Sequence, residues 1–210
     1  MVSAIIFDFD GVIIESFDIK THAFRELFKM YPDEVDEIVE YHQQNGGVSR
    51  YKKFKHIYSQ ILKQPLDEKT CMELGKKFSN LVVEEVIKCS YVPGVLEFIR
   101  EKSRIMELFV ASGTPEDELN SIMSARGISK YFKGIYGSPD TKSEIIQEIL
   151  NMEKINCKDV VFIGDTINDY NEACKVGVPF MARINTMTNN PLMELDIPKF
   201  HDFYELNVRI

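Results

Sequence analysis

Tryptophan is missing from this chain, cysteine and histidine are sparse at four each, and no apolar run is long enough to cross a bilayer as a helix. Cys71, Cys89, Cys157 and Cys174 stand far apart with no C-x-x-C pair. That argues against a disulfide framework and for reduced structural thiols. His22, His42, His56 and His201 do not group with the cysteines, so a zinc site is not expected. Positive charge is also in deficit: 25 Lys and Arg face 33 Asp and Glu, a formal net charge of -8. A nucleic-acid or anionic-membrane surface is therefore not expected, although a local basic pocket is compatible with the balance. No basic stretch precedes an apolar one at the N-terminus, so the expectation is no secretory leader and a cytoplasmic protein. Internal repeats and low-complexity segments are absent too.

What the chain does have is a series of short, continuous apolar runs. Residues 5–9, 108–111, 134–137, 160–163 and 178–182 read as strands, and runs without alternation suit strands buried on both faces. Helical patterns separate them, at roughly 94–103, 115–126, 142–152 and 168–176. This is the alternation of an α/β protein with a doubly wound parallel sheet and right-handed crossovers.

The interval from about Phe17 to Ser90 breaks that alternation and reads as helix. Ile19, Ala23, Phe24, Leu27, Phe28 and Tyr31 form a stripe stopped by Pro32. Val35, Ile38 and Val39 begin a second. Ser49 is placed to cap a third, and a fourth covers about 67–88. The expected organisation is a Rossmann-like core from residues 1–16 and 91–210, with an all-helical cap inserted over 17–90. Glu15-Ser16 and the stretch from Ser90 to Pro93 would be the hinges.

The polar signals fall at the carboxyl ends of the strands, where open parallel sheets bind ligands. Asp8 and Asp10 end the first strand. Two carboxylates at the end of a buried strand repel each other and resist desolvation, a cost that a cation reverses. Ser112, with Gly113 and Thr114 behind it, ends the second strand. Lys142 opens the helix after the third. Asp165 ends the fourth, and Asp169 follows one helical turn later. Four carboxylates and one lysine should repel a phosphate dianion unless a divalent ion such as Mg²⁺ is bound. One carboxylate suits attack on phosphorus, and a second suits proton transfer to the leaving oxygen. Asp165 and Ser112 are also suited to capping helices, a role compatible with function.

Asp8-Phe9-Asp10-Gly11-Val12, Ser112-Gly113-Thr114, Lys142 and Gly164-Asp165-Thr166-Ile167-Asn168-Asp169 together resemble the four motifs of the haloacid dehalogenase superfamily, in that family's order. The helical insert lies where the family's type-1 cap is placed, so the resemblance covers essentially the whole chain. It implies a phosphatase-type hydrolase of the phosphoglycolate phosphatase and β-phosphoglucomutase kind, because Asp10 is absent from the dehalogenases. Carried over, Asp8 is the nucleophile and Asp10 the general acid/base. Mg²⁺ would be held by Asp8, the backbone carbonyl of Asp10 and Asp165, with Asp169 acting through water or by orienting its neighbours. Ser112, Gly113 and Lys142 would grip the phosphoryl group, and Asn168 would tie the last loop together. Gly46-Gly47-Val48-Ser49-Arg50 resembles a cap segment of the same relatives, which suggests Arg50 as a substrate contact, with Lys20, His22 and Lys53 completing a basic lid.

The reading expected from the sequence is thus Mg²⁺-dependent hydrolysis of a small phosphorylated metabolite, with neither nucleic acid nor membrane as partner. Two alternatives stay open: a β-phosphoglucomutase-like phosphomutase, and a non-catalytic phospho-acceptor. The substrate is not legible, and the oligomeric state is open, a monomer being compatible with the sequence.

Overall fold

Along each central strand the side chains alternate between two cores. Ile5, Phe7, Leu108, Val110, Val161 and Ile163 enter one hydrophobic cluster. Ala4, Ile6, Phe109, Ala111, Val160 and Phe162 enter the other. The strand period of two thus feeds both faces of one sheet, which is why these runs are apolar throughout. The computed structural model describes residues 2–185 and 190–206. Its strands are β1 (Ala4–Phe7), β2 (Glu107–Pro115), β3 (Gly134–Ser138), β4 (Val160–Gly164), β5 (Phe180–Arg183) and β6 (Lys199–Phe200). All pair in parallel in the order β3-β2-β1-β4-β5-β6. The order reverses next to β1, which puts the ends of β1, β2 and β4 beside the crevice where doubly wound sheets bind ligands.

The segment that follows β1 carries α1 (Phe17–Leu27), α2 (Val35–Gln44), α3 (Arg50–His56) and α4 (Glu68–Lys88). Phe24, Phe28, Phe54, Tyr58 and Phe78 form their aromatic centre, with Phe24 and Phe78 ring centroids 5.0 Å apart. The remaining helices are α5 (Val95–Lys102), α6 (Glu116–Ala125), α7 (Lys142–Glu153), α8 (Ile167–Val176) and the short α9 (Phe203–Leu206).

Several expectations need correction. The first strand stops at Phe7, not Phe9, because the chain turns there, although Asp8 N still donates to Ile163 O at 2.8 Å. α1 ends at Leu27, several residues before Pro32. Ser49 sits at the N-cap of α3 but its side chain makes no capping bond. Asp67 does cap α4, accepting from Thr70 N at 2.7 Å. β6 was not expected at all.

The two passages between the sheet and the cap helices run side by side. Glu15 N donates to Ser90 O at 2.9 Å and Val92 N to Ile13 O at 3.1 Å. Buried Arg183 and half-buried Arg126 brace them. Arg183 donates to Gly11 O and to both carboxylate oxygens of Glu15. Arg126 donates to the carbonyls of Val86, Ile87 and Cys89 at the end of α4 and stacks 4.0 Å over the Tyr91 ring.

Candidate active site

Asp8 leaves β1 pointing into the protein and is 2 % exposed. Its Oδ1 accepts from Phe9 N at 2.7 Å, and its Oδ2 lies 2.9 Å from Lys142 Nζ. Burial pushes Asp8 up to about 7, outweighing Lys142, with Asp169 and Asp10 adding to the rise. Lys142 is the first residue of α7, whose N-terminus is fixed by a capping box between Thr141 and Glu144. Its ammonium bridges Asp8 and Asp169 Oδ1, the latter at 2.5 Å. Burial alone would lower Lys142, but Asp169 and Asp8 overcome it and hold the ammonium above its usual range.

Asp169 is fully buried and committed to protein donors. Its Oδ2 accepts from Thr166 Oγ1 at 2.7 Å and from the amides of Asp165 and Thr166. Thr166, not Asp165, caps α8, in a capping box with Asp169. Asp165 is therefore free of that duty, and its Oδ1 is buried with no hydrogen-bond partner. Burial, then Asp169 and Asp8, raise Asp165 well above the carboxylate range. Asp8, Asp165 and Asp169 each present an oxygen within 4.8 Å of the others. An orphaned buried carboxylate oxygen beside a second carboxylate that resists ionising fits a hard divalent cation such as Mg²⁺. Gly11 keeps that space open: its φ is +77°, and a Cβ there would come 2.1 Å from Asp165 Oδ2.

Asp10 has the opposite environment. Ser16 Oγ donates to its Oδ1 at 2.6 Å, while Lys20 Nζ and Thr114 Oγ1 reach its Oδ2 at 2.5 and 3.0 Å. Burial works against ionisation here too, but Lys20 and the hydroxyl donors prevail and lower Asp10 below its ordinary value. Two neighbouring carboxylates thus differ in kind. Ser112 is buried and its Oγ accepts from Thr114 N at 3.1 Å. β2 carries a register shift between Ala111 and Pro115, which brings Gly113 and Thr114 to the cavity wall.

The cap helices close over this set. The cavity beneath them has a volume of about 70 Å³, and its walls include Asp8, Asp10, Lys20, Arg50, Lys53 and Asp165. The Gly46-Gly47 turn presses onto the core. A Cβ at Gly47 would lie 3.0 Å from Asp169 Oδ1 and 3.2 Å from Lys142 Nζ, and its φ is +74°.

The expected lid residues separate. Lys20 reaches Asp10. His22 does not join the site: it is exposed on α1 and lines no part of the cavity. The histidine that does line it is His42, whose imidazole is pushed down to about 2 by burial, then by Lys53 and Lys20. Arg50 reaches across to α6, where it grips both carboxylate oxygens of Glu118, at 2.5 and 2.9 Å. Asn168 makes no side-chain hydrogen bond among the described residues; Asn190 Nδ2 braces that loop by donating to Asp165 O at 3.1 Å. The sequence reading missed Glu118, His42, Arg126 and Arg183, none of which carries a local signal. Thr114 belongs to the Ser112-Gly113-Thr114 motif, and its hydroxyl reaches Asp10 as well.

The sequence model of the family described as haloacid dehalogenase-like hydrolase matches residues 5–183. No curated protein sequence matches the chain. Solved structures share its fold. A β-phosphoglucomutase from Clostridium difficile is 20% identical with a TM-score of 0.79, covering 98% of this chain and 93% of that one. CbbY from Rhodobacter sphaeroides, solved with phosphate, is 18% identical with a TM-score of 0.77, covering 98% and 96%. A protein described as a predicted phosphoglycolate phosphatase from Haemophilus somnus is 18% identical with a TM-score of 0.75, covering 99% and 97%.

Proposed function

The chain belongs to the haloacid dehalogenase-like hydrolases, and from that footing we propose that it hydrolyses a small phosphate monoester through a phosphoaspartate on Asp8. The observation that carries this reading is the contrast between Asp8 and Asp10. Asp8 accepts one backbone N–H and faces a lysine, so one carboxylate oxygen is oriented by Phe9 and the other by Lys142. Asp10 is surrounded by proton-bearing groups of Lys20, Ser16 and Thr114.

In the first half-reaction a carboxylate oxygen of Asp8 bonds to phosphorus as the ester P–O bond breaks. The leaving oxygen takes a proton from the Asp10–Lys20 pair. In the second half, Asp10 as carboxylate takes a proton from water, the water oxygen bonds to phosphorus, and the Asp8–phosphorus bond breaks. Lys142 and the backbone N–H groups at Gly113 and Thr114 offset charge on the phosphoryl oxygens. Asp8, Asp165 and the backbone carbonyl of Asp10 would hold Mg²⁺, with Asp169 orienting its neighbours. When bound, the ion neutralises charge shared between these carboxylates and the phosphoryl group.

Phosphomutase chemistry would set a cap residue against a second phosphoryl group. Arg50, the residue resembling that role, is spent on Glu118, which favours hydrolysis. The test is Mg²⁺-dependent phosphate release from an aryl phosphate and from a panel of phosphorylated metabolites. Wild type should release phosphate and Asp8→Asn should not. Undiminished turnover by Asp8→Asn removes Asp8 as nucleophile.

A further inference from the structure

Three basic side chains line the cavity: Lys20, Arg50 and Lys53. Two are already matched. Lys20 faces Asp10 at 2.5 Å. Arg50 is held by Glu118 on two sides, donates to Ser79 Oγ at 2.9 Å, and packs 4.5 Å over the Phe78 ring. Lys53 is different. It is 3 % exposed, and among the described residues no carboxylate pairs with it. Among the described residues its Nζ hydrogen-bonds to His42, at Nδ1 (3.0 Å) and at the backbone carbonyl (3.1 Å), and it lies 5.6 Å from the centroid of the Phe24 ring.

An ammonium has three donors, and those two contacts use two of them. His42 takes part as a neutral acceptor, so it brings no counter-charge. The neighbouring walls are the rings of Phe17, Phe24 and Phe78, which accept no conventional hydrogen bond. Burial, then Lys20, pushes Lys53 down to about 7 against the pull of Asp10, so its charge is costly where it stands, and an anionic partner beside the spare donor restores it. The orphaned oxygen of Asp165 argues for a cation at one end of the cavity by the same logic.

We infer that Lys53, rather than Arg50, receives a second anionic group carried by the substrate away from its transferred phosphoryl group. This deepens the phosphatase reading and rests on it. The substrate class is a phosphate monoester bearing a carboxylate or a second phosphoryl group. Arg50 becomes a strut between cap and core that supports closure for every substrate alike.

The experiment uses the whole protein with Mg²⁺ and non-hydrolysable ligands, so it reads Lys53 without turnover. Isothermal titration calorimetry compares phosphonoacetate, methylenediphosphonate and uncharged-tail ethylphosphonate. Wild type should bind at least one of the two ligands with a second anionic group more tightly than ethylphosphonate by about 10-fold or more, the scale of a hydrogen bond to a charged group. Lys53→Met should bring that ratio to within about twofold, since one such bond is all it removes. Arg50→Ala should change every ligand's affinity by the same factor. Lys53→Met replaces a buried charge by an apolar side chain of similar volume and should fold; Lys53→Gln repeats the measurement if it does not. Which ligand shows the Lys53-dependent preference identifies the group as carboxylate or phosphoryl. Three results overturn the inference: no preference in wild type, a preference that survives loss of Lys53, or one that disappears with Arg50 instead. Failure of the phosphatase reading looks different: the preference is present, but no monoester releases phosphate.

Discussion

Lys20 of the first cap helix lies 2.5 Å from Asp10, the second carboxylate of the strand-end pair, so the two halves of the molecule meet on a titrating group. Asp10 is lowered although it is buried, and Lys20 is the largest cause opposing burial. Removing that charge should let burial win. In Lys20→Met, Asp10 should ionise at a higher pH, and the acidic limb of the phosphate-release profile should move up with it, by about one unit or more. Lys20→Arg should restore much of the wild-type profile. An acidic limb that stays put in Lys20→Met means that Lys20 does not set the proton affinity of Asp10.

How much of this was legible depends on range. β1 and β4 were visible because a strand covered on both faces must be apolar at every position, a signal carried by four or five adjacent residues. β6 is two residues long, too short to show any period. Lys142 was legible from its place just after β3, and the structure sets it between Asp8 and Asp169. Arg50 was legible as a cap residue, but its partner was not. Glu118 is 68 positions away on a helix whose first turn is acidic throughout. Nothing local marks one acid among Glu116, Asp117 and Glu118 as the one that crosses to the cap. His22 misled for a related reason: it lies two positions from Lys20 on α1, about 200° around the helix, which separates a residue over the site from one in solvent.

Gly47 holds the cap turn against the site. Its positive φ and the 3.0 Å contact a Cβ would make with Asp169 Oδ1 make alanine strained and crowded in the closed arrangement. Gly47→Ala should therefore lower the specificity constant about 10-fold or more, with the strain of order 1–3 kcal/mol expressed on closure. Thermal stability should change little, because the turn lies outside both hydrophobic clusters. Wild-type kinetics in Gly47→Ala would show that the closed contact does not form during turnover.

The Arg50–Glu118 pair is buried, with side-chain exposures of 4% and 11%. Breaking one side leaves the other charge stranded, so Arg50→Met or Glu118→Leu alone should each destabilise by about 3–5 kcal/mol. The double variant removes both charges and should cost less than the sum of the two singles. Denaturant melts of the four proteins give the coupling. Strict additivity would mean that the pair contributes nothing as a pair.

Asp8 and Asp165 tie cation binding to pH. Asp8 ionises near 7 when folded and in the ordinary carboxylate range when unfolded. Between those values the folded state holds the extra proton. Taken alone, this group therefore makes stability fall as pH rises through that window, and the raised Asp165 acts in the same direction. Mg²⁺ takes the carboxylate forms, so below about pH 7 it must displace a proton from Asp8. Its apparent affinity should then weaken about tenfold per pH unit for each proton displaced. The rise in melting temperature on adding Mg²⁺ to chelator-treated protein should be small near pH 5 and grow toward pH 7. Asp8→Asn removes the titrating group, so it should flatten this dependence, leaving only what Asp165 contributes. A Mg²⁺ shift of equal size at about pH 5 and about pH 8 in wild type would mean that the ion does not engage Asp8.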